Sequence, residues 1–481
     1  MLTTAFLVLE YAVKIVALGT IPENRKPSSS SAWLLLILFL PVVGIFLYLL
    51  IGSPYVTGRR HRIQDEINAI LTEYAEQFPL LPPGSTSDPH LRSVLRMNRE
   101  QTGMAAVSGC CEELYEDTEE FFAALAASID AARTRVDVLI YITDWDETTD
   151  VFYRALERAV ARGVRVCFLM DHWGSRTKAK RWRELQRSLT AIGVDWHLAM
   201  PLNPLRGRWR RPDLRNHRKL VIIDSEVAFL GSHNIIDPAY GSAANRRVGR
   251  LWNDLSVRMT GNAVVEIEAV FASDWYIETG EILPERYLDA EVVPLGEGSH
   301  PFQIVPSGPG FPSEPNMRMF VALVHGATRN VRITSPYFVP NDALLNAITS
   351  AALRGVQVDL FVSEKADQFI VGHAQRSYYN QLLRVGVRIH LYAAPKVLHS
   401  KYLTVDDRIG AIGTSNMDYR SFALSYEVMM LSFDGDLVGR LRGIDDLYEE
   451  NSRVLTAEEW EQEPWYRRYV DNVCRLAAAL M

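Results

Sequence analysis

The stretch RVDVLIYITDWDETTDVFYRALERAVARGVRVCFLMD, residues 135–171, reads in order as an apolar run, a polar turn, an amphipathic helix, Arg-Gly-Val and a second apolar run. Apolar strands that alternate with helices are typical of parallel sheets covered on both faces. The same order returns in NVRITSPYFVPNDALLNAITSAALRGVQVDLFVSE, residues 330–364, and each copy continues to a further strand, from Gly193 and from Gly386. We therefore predict an α/β protein with two halves related by a pseudo-twofold axis.

The repeat and the changes in composition divide the chain into five segments. We expect a membrane anchor at 1–55, a juxtamembrane linker and lead-in at 56–115, a first half at 116–281, an inter-half linker at 282–315, and a second half with a C-terminal helix at 316–481. The inter-half linker is rich in Pro and Gly, which favour turns. A chain of 481 residues, 48% of them hydrophobic, can bury cores of this size.

The anchor is predicted from apolar sequence near the start. Residues 33–51, WLLLILFLPVVGIFLYLLI, carry no charge and have about the length that crosses a bilayer, so we expect a transmembrane helix. Residues 1–18 form a second span, which we favour, or an interfacial helix, because Glu10 and Lys14 can pair at i,i+4. Three arginines after the apolar stretch favour a cytoplasmic body in a multi-pass protein of the cell (inner or plasma) membrane: Arg59, Arg60 and Arg62.

Charge and cysteine content exclude some classes of function. The formal net charge of −7 argues against a general nucleic-acid binder, so we expect no nucleic-acid partner. The four cysteines show neither zinc-ligand spacing nor a disulfide framework, and they fit a reducing compartment: Cys110, Cys111, Cys167 and Cys474.

A polar motif, His-x-Lys-x4-Asp, stands at matching points of the two halves. It comprises His217, Lys219 and Asp224 in the first half and His399, Lys401 and Asp406 in the second. Further on come the matching polar pairs Ser232 and Asn234, and Thr414 and Asn416. Two carboxylates lie at similar distances downstream, Asp254 and Glu427. A twofold arrangement would bring these groups to one point.

The residue types indicate chemistry on a phosphate group. Lysines and hydroxyl or amide donors can stabilise its oxygens, while one imidazole attacks phosphorus and the other protonates the leaving alkoxide. We favour His217 as nucleophile and His399 as acid and base. The motif aspartates, on the opposite face of their strands, should support rather than touch substrate, and Asp254 and Glu427 should orient the imidazoles. A lysine beside each histidine would repel a cation, so we expect no metal; solvated or purely structural histidines are the remaining alternative.

These motifs are similar to those of the phospholipase D superfamily, and in detail they resemble its bacterial cardiolipin synthases. The stretches that carry the resemblance are RKPSSSSAWLLLILFLPVVGIFLYLLIG, RNHRKLVIID, YFVPNDAL, LHSKYLTVDD and GTSNMDYRSFALSYE. The resemblance implies that two phosphatidylglycerols are joined into cardiolipin with release of glycerol, through a phosphohistidine and without cofactor or metal. The implied partners are anionic phospholipids and the membrane.

Two alternative functions remain open from the sequence. Water could capture the same intermediate, which would make the protein a hydrolytic phospholipase D, because that choice depends on water exclusion rather than on the motifs. A phosphodiesterase or nuclease of the same superfamily is less favoured, since the N-terminal spans and the acidic charge count against it.

One further stretch is expected to meet lipid, and the role of another is left open by the sequence. A basic stretch before the first motif should attract anionic headgroups with Arg206, Arg208, Arg210, Arg211 and Arg215, and place Trp209 at the interface. The C-terminal stretch WYRRYVDNVCRLAAALM, residues 465–481, is either an interfacial element or a helix packed on the body.

Overall fold

The computed structural model describes the chain in eight ranges: 2–23, 27–52, 58–85, 88–202, 211–283, 293–296, 298–311 and 313–476. The chain divides into two compact units. The smaller unit comprises Met1–His61 and Leu202–Leu214, and the larger comprises Arg62–Pro201 and Arg215–Met481.

The smaller unit contains three α-helices among its described residues, α1 (Leu2–Thr20), α2 (Pro27–Phe39) and α3 (Pro41–Leu47), followed by a π-helical turn (Tyr48–Gly52). The apolar stretch 33–51 is therefore not one helix. Pro41 begins α3, because proline has no N–H to donate to the preceding turn but fits the first position of a helix.

The expected ion pair in the first helix is confirmed, since Lys14 Nζ lies 2.5 Å from Glu10 Oε1. No helix in the part of the chain that the structure describes has both the length and the apolar character needed to cross a membrane. The spanning helices therefore stay a prediction. Arg59 and Arg60 lie in the helix that follows, but their side chains are outside the described part, whereas Arg62 is exposed.

The remaining helices run in chain order through the larger unit, the first of them beginning just before it. They are α4 (Gly58–Ala75), α5 (Pro89–Thr102), α6 (Thr118–Asp130), α7 (Asp150–Ala161), α8 (His172–Lys178), α9 (Trp182–Ala191), α10 (Ala243–Arg247), α11 (Asn262–Thr279), α12 (Pro315–Gly326), α13 (Asp342–Leu353), α14 (Phe369–Arg376), α15 (Tyr379–Arg384), α16 (Tyr419–Ala423), α17 (Asp436–Glu450), α18 (Ala457–Glu461) and α19 (Trp465–Leu476).

The strands belong to the same unit. They are β1 (Ala106–Tyr115), β2 (Arg135–Ile140), β3 (Arg165–Asp171), β4 (Asp195–Ala199), β5 (Arg215–Asn216), β6 (Leu220–Ile223), β7 (Val227–Gly231), β8 (Trp252–Asn253), β9 (Ser256–Thr260), β10 (His300–Ser307), β11 (Asn330–Thr334), β12 (Phe338–Val339), β13 (Gln357–Ser363), β14 (Arg388–Tyr392), β15 (Val397–Leu398), β16 (Tyr402–Val405), β17 (Ile409–Gly413), β18 (Met417–Asp418), β19 (Ser425–Phe433) and β20 (Ser452–Leu455).

The repeated unit of the sequence forms as predicted. The Arg-Gly-Val of each copy follows a helix, α7 or α13, and its glycine has a φ of +89° in both, at Gly163 and at Gly355. Glycine adopts this left-handed conformation without the steric cost that a side chain would add, so the chain can leave the helix and enter the next strand. The strands β2–β3–β4 and β11–β13–β14 pair in parallel in consequence.

The whole sheet is mixed rather than parallel, which corrects the simpler expectation. Its described strands follow the order β20-β14-β13-β11-β16-β17-β19-β10-β1-β9-β7-β6-β2-β3-β4. Outward from its middle, β10-β19-β17-β16-β11-β13-β14 corresponds to β1-β9-β7-β6-β2-β3-β4. The predicted pseudo-twofold relation therefore passes between β1 and β10, which pair in antiparallel register with Val107 opposite Phe302.

The two central strands lie where we expected connections. β1 falls in the predicted lead-in 56–115, and β10 falls in the predicted linker 282–315, of which residues 284–292, 297 and 312 are outside the described part. The strand β10 contains Pro301 and Pro306, which on composition alone indicate a turn. Its two neighbours nevertheless pair with it along its length, so this part of the linker is core structure.

Helices cover both faces of the sheet. In β2, Val138 packs with α6 and α7 on one face, whereas the next residue, Leu139, packs in the cluster that contains Trp275 of α11 on the other. The second half repeats this alternation in β13, where Leu360 joins the core of α12 and α13 and Phe361 joins the core that α17 covers. The cores therefore hold each half of the sheet rigidly beneath the motifs.

Candidate functional site

Each motif histidine is anchored to the other half of the chain. The short strand β5 pairs in parallel with the start of β19, and β15 pairs in parallel with β8. As a result His217 donates its backbone N–H to Tyr426 O at 2.9 Å, and His399 donates its own to Asn253 O at 2.8 Å. The two strand pairings are equivalent under the pseudo-twofold relation, and they bring both motifs to the seam between the halves.

These strand pairings place each imidazole beside a carboxylate from the other half of the chain, which we call the crossed arrangement. Nδ1 of His217 lies 3.0 Å from each carboxylate oxygen of Glu427, in the second half. Nδ1 of His399 lies 2.6 Å from Oδ1 of Asp254, in the first half. A carboxylate at Nδ1 holds the proton on that nitrogen, so Nε2 of each ring is available to react.

The motif lysines are buried beside their histidines. Lys219 Nζ donates to His217 O at 2.6 Å, and Lys401 Nζ donates to His399 O in the same way. One hydrogen bond to a carbonyl leaves two of the three ammonium donors for another acceptor. The motif histidines and lysines, which we expected on strands, lie instead in the ordered connections that follow β5 and β15.

Two tyrosines complete the surroundings, and the sequence reasoning missed both. The ring of Tyr141 lies edge-on to His217 with centroids 4.7 Å apart, and Lys219 Nζ lies 5.4 Å from the same ring centroid. The ring of Tyr240 is edge-on to His399 at 6.2 Å. Tyr141 directly follows β2, at the carboxyl end of a parallel strand, which is a position that often carries ligand contacts. No local signal points to Tyr240.

The hydroxyl residues hold the carboxylates. Ser232 Oγ donates to Asp254 Oδ1 at 2.6 Å and accepts the N–H of Leu255 at 2.9 Å. Thr414 Oγ1 donates to Glu427 Oε2 at 2.5 Å and accepts the N–H of Val428 at 3.0 Å. Both are therefore placed to support the carboxylates rather than to contact a phosphate.

The two amide residues differ. Asn234 Oδ1 accepts the N–H of Ile142 at 3.1 Å, and its Nδ2 donates to the hydroxyl of Tyr240 at 2.8 Å. Its side chain therefore links the segment after β2 to the tyrosine beside His399. Asn416 is also buried, and its Oδ1 has no hydrogen-bond partner among the residues that the structure describes.

The motif aspartates lie in tight turns and not on strands, which corrects the expected strand position. Asp224 follows β6 and Asp406 follows β16, with φ of +53° and +54°. Asp224 accepts the N–H groups of Arg133 and Thr134 at 2.7 and 2.8 Å, and Asp406 accepts that of Arg329 at 2.7 Å. Each carboxylate thus fixes the turn before β2 or β11, and neither contacts a motif histidine or lysine.

Burial controls the protonation of the four basic groups. It lowers the pKa of His399 to about 4 and lowers the pKa of His217 well below its usual range, and the neighbouring lysines add to both effects. Burial also lowers the pKa of Lys219 to about 7 and that of Lys401 to about 8. An anion placed between these groups would favour their charged forms and reverse part of the shift.

The two carboxylates differ in charge. Burial raises the pKa of Glu427 to about 7. Burial opposes ionisation of Asp254 as well, but His399 holds the pKa of this carboxyl well below its usual range. Asp254 is therefore an anion at neutral pH and stabilises a proton on His399, whereas Glu427 is only partly ionised and favours neutral His217.

A buried arginine distinguishes the first motif from the second. Arg218 Nη1 lies 2.6 Å from Asp274 Oδ2, and its Nε donates to the backbone oxygen of Glu427 at 3.0 Å. Arg218 therefore ties the residue next to His217 to the strand that carries its carboxylate. At the matching place the second motif has Ser400, which bonds the hydroxyl of Tyr448 at 3.0 Å.

The basic stretch before the first motif is only partly the exposed surface that we expected. Arg215 is buried, with Nη1 3.5 Å from Asp171 Oδ1, and Arg211 Nη2 lies 2.5 Å from Asp213 Oδ2. Each of these arginines is paired with an aspartate of the chain itself. Arg215 is therefore a structural cation and not a headgroup contact. The rest of the stretch lies outside the described residues: Arg206, Arg208, Trp209 and Arg210.

Among the described residues, no three histidine, cysteine or acidic side chains are grouped as a metal site would require. The arrangement instead offers two imidazoles with supporting carboxylates and two ammonium groups. That set can transfer a phosphoryl-linked group through an imidazole.

Comparisons with known proteins agree with this arrangement. Residues 125–275 and 320–444 match the family model described as cardiolipin synthase, phospholipase D-like domain, and residues 12–53 match the phospholipase D-nuclease N-terminal model. Cardiolipin synthase A of Klebsiella pneumoniae is 32% identical over 95% of this chain and 94% of its own length. Cardiolipin synthase of Geobacillus kaustophilus is 33% identical over 98% of this chain and 92% of its own.

A solved structure shares the fold. Phosphatidylserine synthase of Haemophilus influenzae superposes with a TM-score of 0.60 and covers 82% of this chain and 98% of its own, at 15% identity. At that identity the likeness concerns the fold alone.

Proposed function

This chain belongs to the cardiolipin synthase family with phospholipase D-like domains, and we propose that it joins two phosphatidylglycerols into cardiolipin and glycerol through a phosphohistidine. It is a phosphatidyltransferase. The crossed pairing of His217 with Glu427 and of His399 with Asp254 is the observation that carries the proposal, because it supplies a nucleophile and a separate acid at one seam.

The first step forms the covalent intermediate. Nε2 of neutral His217 attacks the phosphorus of one phosphatidylglycerol, and a P–N bond forms as the bond to the headgroup glycerol oxygen breaks. Nε2–H of protonated His399 gives its proton to that oxygen, so glycerol leaves as a neutral alcohol. Burial holds the pKa of His399 at about 4 in the free protein, so His399 takes up this proton as substrate binds: ionised Asp254 raises its pKa and the bound phosphodiester anion raises it further.

The second step returns both histidines to their starting state. A headgroup hydroxyl of a second phosphatidylglycerol gives its proton to Nε2 of His399, and its oxygen attacks phosphorus. The P–N bond to His217 breaks and cardiolipin is released. Lys219 and Lys401 hold the non-bridging phosphate oxygens in both steps, since each keeps free ammonium donors beside its histidine.

The proposal includes attachment to a membrane. Large apolar side chains are exposed along α1 and along α2 and α3, and among them are Tyr11, Ile15, Phe39, Val42 and Phe46. Contiguous apolar surface of this kind is costly in water and marks contact with lipid or with other apolar surface. A body on the cytoplasmic side is part of the same proposal and rests on the arginines at the start of α4.

The decisive experiment supplies purified full-length protein with phosphatidylglycerol as its one lipid and identifies the products by mass spectrometry. Cardiolipin and glycerol in equal amounts support the proposal, and the His399→Ala variant gives the background. Phosphatidic acid that takes up ¹⁸O from labelled water would identify a hydrolase instead. An absence of both products would refute phosphatidyl transfer from this lipid.

A further inference from the structure

The last described helix presents its large aromatic residues to solvent and its acidic residue to the body. In α19, Trp465, Tyr469 and Leu476 are 74%, 65% and 84% exposed. Asp471 and Cys474 are buried on the opposite side. A helix that merely covers a soluble core has the reverse distribution, with apolar residues inward and charges outward.

The buried carboxylate has specific partners on α14. His373 Nδ1 lies 2.6 Å from Asp471 Oδ1, and Arg376 Nε lies 3.5 Å from Asp471 Oδ2. These bonds set the rotation of α19, because turning the helix to bury its aromatic side would expose Asp471 and break both. The exposure of the aromatic residues is therefore built into the packing of the two helices.

The first turn of α14 extends the apolar surface. Phe369 and Ile370 are 68% and 50% exposed, and the ring of Phe369 lies 4.3 Å from that of His373, which bonds α19. The exposed apolar residues of the two helices together form what we call the aromatic face: Phe369, Ile370, Trp465, Tyr466, Tyr469, Val473 and Leu476.

The aromatic face adjoins the candidate site. The residue two positions before Phe369 is Asp367, whose carboxylate accepts the hydroxyl of half-buried Tyr337 at 3.0 Å. Gln368 donates to that hydroxyl at 2.9 Å. Gln375 of α14 accepts the N–H of Phe338 at 2.9 Å, and Phe338 pairs with Met417, which directly follows Asn416, so α14 is bound to the strand pair beside the candidate site.

We propose that the aromatic face docks on an anionic lipid bilayer and places the candidate site close to the headgroups from which its substrate comes. The inference rests on the proposed function and extends it. Tryptophan and tyrosine are the side chains that prefer the headgroup level of a bilayer. Arg468 of α19 is exposed as well and complements anionic headgroups, whereas Arg467 is paired with Glu463 and Arg475 lies over the ring of Tyr378.

A labelling experiment on the full chain tests the location. Tyr469→Cys carries an environment-sensitive fluorophore, and Leu353→Cys carries the same fluorophore as the control. Leu353 is 74% exposed at the end of α13. The chain enters β13 after α13 and reaches α14 after β13, so Leu353 and α14 lie at opposite ends of that strand. In vesicles of phosphatidylcholine and phosphatidylglycerol, lipid-borne quenchers should quench the label at 469 and not at 353. Equal quenching at both positions, or at neither, would overturn the inference.

A kinetic experiment separates docking from chemistry. Replacing Trp465, Tyr469 and Leu476 by Ser should raise the KM for phosphatidylglycerol in vesicles roughly tenfold, since the lost apolar contacts weaken binding to the bilayer. Activity on a short-chain, monomeric phosphatidylglycerol should be unchanged, and Leu353→Ser should change neither. If wild-type protein makes cardiolipin from neither the vesicles nor the monomeric lipid, the proposed function fails, whatever the label reports.

The same variants test whether the aromatic face binds a second copy of the chain instead of lipid. If the aromatic face binds a second copy of the chain, wild-type protein should dimerise in detergent without lipid, and the triple Ser variant should be monomeric. That result, with unquenched label in vesicles, would overturn lipid docking in favour of self-association.

Discussion

Nδ1 of His399 lies 2.6 Å from a carboxylate oxygen of Asp254, a residue 145 positions earlier in the chain and in the other half of the fold. The matching contact joins His217 to Glu427 across 210 positions. Each half thus supplies an imidazole and receives its supporting carboxylate from the other. Neither half contains a complete pair, so the chemistry requires the two halves to be joined as β5 with β19 and β15 with β8 join them.

Replacing each of the two crossed carboxylates should impair a different part of the reaction. Glu427→Gln and Asp254→Asn should each lower kcat on phosphatidylglycerol by roughly 10²–10⁴-fold, as loss of an orienting carboxylate does in other histidine-based sites. Asp254 acts through the acid, so a phosphatidyl donor with a p-nitrophenol leaving group should restore release of the leaving group in Asp254→Asn alone. Equal rescue of both variants, measured as p-nitrophenolate release, would contradict the crossed assignment.

The covalent intermediate should form on His217. With the p-nitrophenol donor, His399→Ala should release about one equivalent of p-nitrophenolate in a burst and then stall, because the acceptor has no base in the second step. Rapid quenching should trap a lipid-bearing phosphohistidine that is labile to acid and stable to base, and peptide mapping should place it on His217. His217→Ala should give no burst. A burst in His217→Ala together with none in His399→Ala would reverse the two roles.

The pH dependence should report the motif lysines. Burial lowers the pKa of Lys219 to about 7 and of Lys401 to about 8, so the free enzyme loses positive charge as the pH rises through this range. kcat/KM should therefore fall more steeply between about pH 7 and 8, because the loss of lysine charge adds to the loss of protonated His399, whose pKa in the free protein is about 4. kcat should fall only at higher pH, because the bound phosphodiester anion raises both pKa values. Lys219→Arg, whose guanidinium stays charged, should move the start of this steeper fall upward if it retains activity. A kcat/KM whose fall does not steepen up to pH 9.5 would show that these ammonium groups keep their protons.

The motif aspartates should matter for stability more than for turnover. Asp406→Ala removes the acceptor for three backbone N–H groups, those of Thr328, Arg329 and Asn330, and should destabilise the fold by roughly 2 kcal/mol. Asp406→Asn keeps an oxygen acceptor, and asparagine tolerates the positive φ, so it should lose less. Thermal unfolding measures the difference. At temperatures where the protein is folded, kcat should stay within about threefold of wild type, since the carboxylate touches no reacting group. A loss of activity comparable to that of Lys401→Ala in a fully folded Asp406→Asn would assign the aspartate a direct role.

The sequence by itself determined the repeated α/β unit, the two histidine–lysine motifs and the identity of the supporting carboxylates. These features depend on residue periodicity and on short spacings, which are local properties of a chain. The Arg-Gly-Val that ends each repeated helix is an example, because Gly163 and Gly355 meet a conformational need that adjacent residues create.

Only the tertiary structure decided which carboxylate serves which histidine, where Tyr240 lies, and that β1 and β10 form the middle of the sheet. The composition of β10 even argued against a strand, since Pro301 and Pro306 indicate a turn. Each of these outcomes depends on which strands pair across distances of a hundred residues or more. The local sequence pattern does not specify which strands pair or in which register, because the pairing is selected by the burial of both faces of the sheet at once. The rotation of α19 has the same origin, since the bonds from α14 to Asp471 turn its aromatic residues outward.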